Sequence, residues 1–562
     1  MKKTAITLLL IGSAVAGAKA QTMYDAFRFS ENHYEGTART MAMGNAFTAL
    51  GGDLGSVSIN PAGSAVARYS QITITPGVSI SSNTSGGTAP DYFQRQYRTP
   101  MARFSMPNIG FTINFDTFRT SGIKNWTLGF VVNRTNTYND NLYVRGLNSN
   151  TSFAGALASF AQGIHVDDLI LTDNYDPYYD SDIPFDIILG YESGIIDPIG
   201  GTDPDTGTEF TLPYDYAGVN ENYYLSKDPD NPGAYFIDGL GLDGNTIEQV
   251  YSRRIIGSKY DYVINFGANI SDVVYFGANL GITSLSYSQE YYIREMSGGD
   301  ASDYGAFQTE FRSLRYNNTY NATGAGVYGK FGIIVTPWEG LRLGAAIQTP
   351  TSMYIKETWK TTAGVNTYSD YGNHEAETPD NEYDYNLVSP FRFNVGAAFT
   401  FGNFAVISAD YEMADYGRMR FREADTNDNT GFDPMNEDIR TYMGQSHMFR
   451  AGIEVKPISS LAIRAGYGLT TSPEKYYDTD GMLRNVKANT NRFSCGLGYS
   501  SNGSFFADLA FQATRYSDEY IYPYDYYVID GEDAVIDYNV DTPEILSRRW
   551  LFNIALTFGF RF

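Results

Sequence analysis

The last eleven residues alternate without interruption. Phe552, Ile554, Leu556, Phe558, Phe560 and Phe562 take every second place, with Asn553, Ala555, Thr557, Gly559 and Arg561 between them. A strand sends successive side chains to opposite faces, so this one has a hydrocarbon face and a small or polar face. The pattern recurs along the chain. Ile109, Phe111, Ile113 and Phe115 oppose Thr112, Asn114 and Asp116, and Trp126, Leu128, Phe130 and Val132 follow. Then come Tyr260, Tyr262, Ile264 and Phe266, and next Phe391, Phe393, Val395, Ala397, Phe399 and Phe401 opposing Arg392, Asn394, Gly396 and Thr400. Leu461, Ile463, Ala465 and Tyr467 oppose Arg464 and Gly466, and Phe505, Ala507, Leu509 and Phe511 oppose Asp508 and Gln512. So many repeats, with arginine and aspartate on the second face, fit a wet lumen better than a soluble sandwich. After Gln21 no stretch approaches the ~18 consecutive apolar residues of a membrane helix. A chain of this kind crosses a bilayer as a closed barrel whose residues alternate between lipid and lumen.

The connections alternate in length. Short ones carry turn formers at 119–125, 271–273, 337–340, 402–403, 457–460 and 501–504. Long polar ones fall near 83–103, 140–257, 297–311, 361–385, 424–440, 476–488 and 521–545. Short periplasmic turns and long external loops are the outer-membrane arrangement. The expected fold is therefore all-β, a fourteen-stranded antiparallel transmembrane barrel with both termini in the periplasm. Its strands are placed near 69–82, 104–118, 126–139, 258–270, 273–296, 312–336, 341–360, 386–401, 404–423, 441–456, 461–475, 489–500, 505–520 and 546–562. The 140–257 connection holds 20 acids and 4 basic residues, a large part of the chain's net charge of −24, and belongs outside the bilayer. Within it, Phe153 to Ile164 has helical spacing, which suits either a helix lining the path of a ligand or one packed on its own loop.

Residues 1–20 read as a signal peptide. Lys2 and Lys3 precede a short apolar run, and Ala18-Lys19-Ala20 is a cleavage site that would leave Gln21 first. The acidic balance excludes a nucleic-acid partner, which needs a basic face. One cysteine, Cys495, and four histidines give no metal or cofactor pattern, and none is expected. Closely spaced carboxylates at Asp228 to Asp230 and Asp425 to Asn429 do not complete a calcium loop. Ser446 and His447 are adjacent, so on a strand they face opposite sides and make no hydrolase pair. An enzyme is not expected.

Residues 21–68 precede the barrel (69–562) and are not strand-like. The run Gly36-Thr37-Ala38-Arg39-Thr40-Met41-Ala42-Met43-Gly44-Asn45-Ala46-Phe47-Thr48-Ala49, then Asp53, then Ser58-Ile59-Asn60-Pro61-Ala62-Gly63, resembles the N-terminal hatch of the FadL-type outer-membrane transporters. That resemblance implies a hatch (plug) inside the lumen and uptake of hydrophobic compounds such as long-chain fatty acids. It makes Asn60, Pro61, Ala62 and Gly63 a hinge of the hatch. Asn60-Pro61 also reads as a helix start. Phe47 would line the pocket or pack between hatch and wall. Arg342, Arg392, Arg450, Arg464 and Arg492 are expected to face the lumen with Asp410, Glu412, Glu454 and Asp508, either as carboxylate binders or as a self-neutralising network that anchors the hatch. The terminal strand ending at Phe562 resembles the signal read by the barrel assembly machinery. Outer-membrane lipids and a hydrophobic small molecule are the other partners. The size and acidity of the 140–257 loop depart from the family pattern. A second reading is a scaffold or shuttle for protein cargo, similar to the barrel component of the type IX secretion machinery. A continuous apolar tunnel would favour transport, and a sealed lumen with a loop platform would favour the scaffold. The plug speaks against a diffusion porin.

Overall fold

The computed structural model describes residues 21–229, 234–298, 306–368, 372–426, 430–478, 480–501, 504–530, 533–536 and 542–562; the leader at 1–20 lies outside them, as do parts of both acidic runs near Asp228 and Asp425. Fourteen antiparallel strands close into a barrel. They are β1 (Gln71–Gly87), β2 (Tyr97–Asp116), β3 (Ile123–Thr137, resuming as Asp140–Asn148), β4 (Ile247–Ile270) and β5 (Val274–Ser297). Next come β6 (Phe311–Trp338), β7 (Leu341–Gln348, then Ser352–Thr367), β8 (Asn381–Val388, then Arg392–Phe401) and β9 (Ala405–Asp415, then Arg420–Glu423). The last are β10 (Gln445–Ile458), β11 (Leu461–Thr471), β12 (Asn489–Ser500), β13 (Phe505–Arg515, then Glu519–Ile521) and β14 (Ile545–Arg561). β14 pairs with β1, Ile554 opposite Val78, so no sheet edge is left along that seam.

Side-chain alternation is realised as burial. On β14, Ile554, Leu556, Phe558 and Phe560 are exposed on the outer wall, while Asn553, Ala555, Thr557 and Gly559 are buried within. The outer faces of the other strands form the same apolar belt. At the short-turn end it carries a cluster of rings, with Phe115 stacked on Trp126 at 4.0 Å between centroids and Trp126 beside Phe266. Aromatic residues collect where a barrel meets the membrane surface. The tight Ser271–Val273 connection between β4 and β5 has positive φ at Ser271 and Asp272, the twist-matching turn of hairpins, and Val273 N donates to Ile270 O across it. Asp272 there binds Lys124 and Arg68. No helix among the described residues is long and apolar enough to cross a membrane.

Several strands run further at the long-loop end than alternation indicates, while β5 and β6 keep close to the lengths it gives them. β5 has 24 residues and β6 has 28, whereas about 9–11 tilted residues cross the hydrocarbon. The surplus explains three differences from the sequence reading. β1 and β2 extend into 83–103, β3 and β4 extend into 140–257 as far as Asn148 and back to Ile247, and β7 and β8 extend into 361–385. Above the bilayer both faces of a strand meet polar surroundings, so no period of two marks it.

Residues 149–229 and 234–246 fold into a cap over this end. It contains α4 (Phe153–Ala161) and α5 (Phe185–Glu192), numbered after three short helices of the N-terminal segment given below, and two hairpins. Ser152 caps α4 by accepting from Gly155 N at 2.9 Å. Phe153, Leu157, Ile187 and Leu189 share one core with Ile293, Phe311, Leu314 and Ile545 of the barrel rim. The helix expected from spacing thus packs on its loop and on the rim. Buried Glu295 of β5 accepts from Phe153 N (2.6 Å), Asn220 Nδ2 (2.8 Å) and Gln249 Nε2 (2.6 Å), which ties the positive end of α4 to the wall.

Candidate functional site

Residues 21–68 form α1 (Met23–Ser30), α2 (Ala38–Ala42), a 3-10 turn (Leu54–Ser58) and α3 (Gly63–Val66). They touch strands round most of the circumference, which is possible only from within the lumen. The contact is made through glycines that point inward at one level of the wall. These are Gly267 on β4, Gly277 on β5, Gly332 on β6, Gly344 on β7, Gly396 on β8, Gly452 on β10, Gly466 on β11 and Gly496 on β12. Several pair directly across strands, as do Gly267 with Gly277, Gly277 with Gly332, Gly344 with Gly396 and Gly452 with Gly466. A Cβ on any of them would press on the inner segment: on Ala65 from Gly267, Pro61 from Gly277, Asn60 from Gly332, Thr48 from Gly344 and Gly396, Met43 from Gly452, Gly44 from Gly466 and Ala42 from Gly496. The segment therefore lies round the inside of the wall against the order of the strands. On β9 the corresponding place belongs to Asp410, which accepts from Thr48 N at 2.8 Å. The sequence reading recorded Gly396 and Gly466 only as small residues. The available signal was a glycine on the lumen face of one strand after another.

Asn60 does not cap a helix. Helix α3 starts at Gly63 after Ala62 without a side-chain cap. The Asn60 amide instead donates to Thr48 O (2.6 Å) and to the wall carbonyls of Ile333 (3.2 Å) and Ala345 (3.4 Å), while its oxygen accepts from Ala62 N. The oxygen of the amide makes the local turn bond while its NH2 group makes the wall contacts, so one side chain serves both. Pro61 offers its carbonyl to Asn265. Phe47 is fully buried among Tyr34, Met43, Leu50 and Ile59, with the Arg39 guanidinium over its ring, so it packs within the segment and against Ala398 of the wall.

The lumen charges fall into two groups. Glu454 receives both Arg39 of the inner segment (2.9 Å) and Arg464 (2.6 Å), and Arg464 also reaches Asp508 (2.5 Å). Arg392 and Arg450 share Glu412 at 3.2 and 3.1 Å, and Arg450 lies 3.9 Å from Asp410. Arg342 and Arg492 join neither group. Arg342 donates to Leu50 O at 2.7 Å and Arg492 to Thr514 Oγ1 at 3.4 Å. Arg392 also donates to Ser30 O, Lys330 to Ser58 O and Lys259 to Phe29 O, so the wall's cations cap carbonyls of the segment at many points. Buried charges are stable only when met this way.

Above the charged level, α1 occupies an apolar chamber. Met23, Tyr24, Ala26, Phe27 and Phe29 pack against Leu285, Tyr287, Met353, Ile355, Tyr385 and Tyr416. Phe27 meets Tyr416 edge-on at 4.9 Å and Phe29 meets Tyr287 at 5.6 Å, geometries that add to the burial itself. The helix is held by a Thr22–Asp25 capping box and by Arg28 on Asp25 at 2.7 Å. Beside α1 lie two cavities of about 10 Å3 each, lined by polar groups such as Lys259, Asp261 and His33. A space of that size is about one water, so each of these two cavities holds no more than that beside α1.

The wall has a break beside β2. β2 and β3 pair from Asp116–Asn125 up to Asn108–Asn133 and no further. Pro107 ends the ladder and Pro100 follows within the unpaired stretch; proline has no N–H to give and belongs at sheet edges. On the other side β3 has a bulge at Arg134–Asn136, and its upper part pairs with β4 alone. The carbonyls of Thr135 and Arg134 accept instead from the inner segment, from His33 N (2.6 Å) and Glu35 N (3.3 Å). Behind them Arg134 binds Glu35 at 2.6 Å and reaches Ser79 of β1 at 2.7 Å. Sequence reasoning found neither the break nor this closure, because both depend on which strand lies beside the prolines.

A closed fourteen-stranded wall with an apolar outer belt and a charged lumen defines a barrel of the outer-membrane type. No family model matches the chain, and no curated protein does. In structure it is similar to FadL-type channels. The toluene transporter TodX of P. putida has 13% identity and a TM-score of 0.45, over 95% of this chain and 99% of that one. A Pseudomonas aeruginosa FadL homologue has 10% identity and a TM-score of 0.47, over 93% and 98%. The CymD monoaromatic hydrocarbon channel has 10% identity and a TM-score of 0.42, over 93% and 97%.

Proposed function

We propose that this chain is an outer-membrane channel that takes up hydrophobic compounds, long-chain fatty acids among them, by diffusion through a barrel gated by its inner segment. The observation that carries the reading is the break between β2 and β3, whose exposed strand edge is covered by residues 33–35 of the inner segment. A sealed pore or a purely structural barrel has no use for an opening toward the bilayer. In this reading the leader is removed after Ala20, both termini lie in the periplasm, and the cap faces outward. The C-terminal strand ending at Phe562 engages the assembly machinery. A ligand passes beneath the cap to the aromatic chamber. The inner segment shifts about the 60–63 hinge, and the ligand leaves sideways into the lipid. The two backbone bonds that close the break contribute about 0.5–1.5 kcal/mol each. The buried Arg134–Glu35 pair is the larger hold, about 3–5 kcal/mol if one partner is removed.

The test has two parts. The first is extraction of the purified barrel and mass spectrometry of what it retains. An apolar compound that is retained, and lost on altering Phe47 or residues 60–63, is the expected result. The second is uptake by a His33→Cys, Thr135→Cys pair in a Cys495→Ser background, which should stop under oxidant and recover with reductant. Uptake that ignores the tether would remove the lateral route. A scaffold for partner proteins is the second reading, and the folded cap above a chamber filled by α1 favours it. An empty barrel that co-purifies with a protein would decide for it.

A further inference from the structure

Glu357 of β7 is a buried carboxylate inside the lumen, about 1% exposed. It accepts from the hydroxyls of Tyr320 and Tyr385 and, at 2.8 Å, from Nε2 of Gln21. Asp25, itself paired with Arg28, lies nearby and repels it, and among the described residues no lysine, arginine or histidine forms an ion pair with Glu357. A buried carboxylate without a cation is costly. The residue beside it is the one that the cleavage motif would leave first. Gln21 is itself only 3% exposed, and its Oε1 has no hydrogen-bond partner.

We infer that removal of the leader completes this site. Hydrolysis of the Ala20–Gln21 bond adds water, leaves a carboxylate on the departing leader and gives Gln21 an amine that takes up a proton. The new ammonium lies within one side chain's reach of Glu357 and supplies its missing counter-ion. Cleavage thereby locks α1 in the chamber. A chain still carrying the leader lacks the charge that holds Gln21 there. A freshly cut N-terminus here neutralises an internal acid, and so strengthens the seating of the plug once the leader is gone. It rests on the leader reading, and it is independent of what the channel transports.

The experiment uses the exported protein. Six Gly/Ser residues are inserted between Ala20 and Gln21, so that the leader is still removed but the ammonium is carried away from Glu357. The same insertion is made in Glu357→Gln, an isosteric change that keeps the tyrosine contacts. Intact mass fixes the first residue of each protein, heat-modifiable mobility confirms the folded barrel, and the rate of tryptic cutting after Arg28 reports seating of α1. Gln21 as first residue is expected, with cutting roughly ten-fold faster after the insertion, equally fast in Glu357→Gln, and little further gain when both changes are combined. The inference is overturned by a different first residue, by an insertion that leaves the rate unchanged, or by an insertion effect as large in Glu357→Gln as in the parent.

Discussion

At the residue scale the inner segment depends on hydrogen atoms where other proteins have side chains. Gly452 and Gly466 face each other on β10 and β11, and both touch the Met43–Gly44 backbone. Gly466→Val should leave the barrel closed and push the segment off the wall, seen as tryptic cutting at Arg39 in a protein that keeps its folded mobility. Unchanged protection would mean that the wall yields instead. Glu454 is a different case, since it holds Arg39 and Arg464 together while buried. Glu454→Gln leaves two guanidinium groups short of a counter-charge and should cost about 3–5 kcal/mol in a urea titration of the detergent-solubilised barrel. A loss under 1 kcal/mol would show that Asp508 takes over both arginines. These sites differ in legibility. Arg464 and Glu454 were readable as inward charges from alternation, whereas Arg39, the second cation on Glu454, comes from a segment with no period at all.

At the element scale the cap is the part with its own core. Leu157 on α4 is nearly buried between α5 and the hairpins, so Leu157→Ala should destabilise the cap by about 2–5 kcal/mol. Proteolysis within 149–246, without loss of the barrel, would register it. Glu221 gives the cap a pH dependence. Burial pushes its carboxyl up to about 7, with Glu295 nearby adding to the shift. Folded, it keeps a proton that the unfolded cap releases near the ordinary carboxylate value. Stability therefore falls as pH rises across that window and levels off above about 7. Glu221→Gln should flatten the protease-resistance profile between pH 5 and 8, and an unchanged slope would assign it to other acids of the cap. The helix in α4 was legible from spacing. Its contacts with Ile293 and Phe311 were not, because they join residues far apart in the chain.

At the scale of the whole molecule, the lumen is a stack of three layers: glycine contacts and ion pairs, an aromatic chamber filled by α1, and the cap. Loosening one layer should act through the break beside β2. Glu35→Gln removes the charge that holds Arg134 and should raise uptake of an apolar probe into cells without altering the barrel's folded mobility; reduced uptake would place Glu35 in the ligand's path instead of in the closure. The sequence by itself determined the barrel: strand number, the order of short and long connections, and which side chains meet lipid. Alternation is a local property, imposed on each strand by the bilayer whatever its neighbours are. Tertiary structure alone decided how the lumen is filled. The glycine girdle, the seat of α1, the pairing of Glu454 with Arg39 and the closure of the β2–β3 break all join residues tens to hundreds of positions apart. No spacing in the chain encodes which of them meet, since that follows from closing fourteen strands round one small segment.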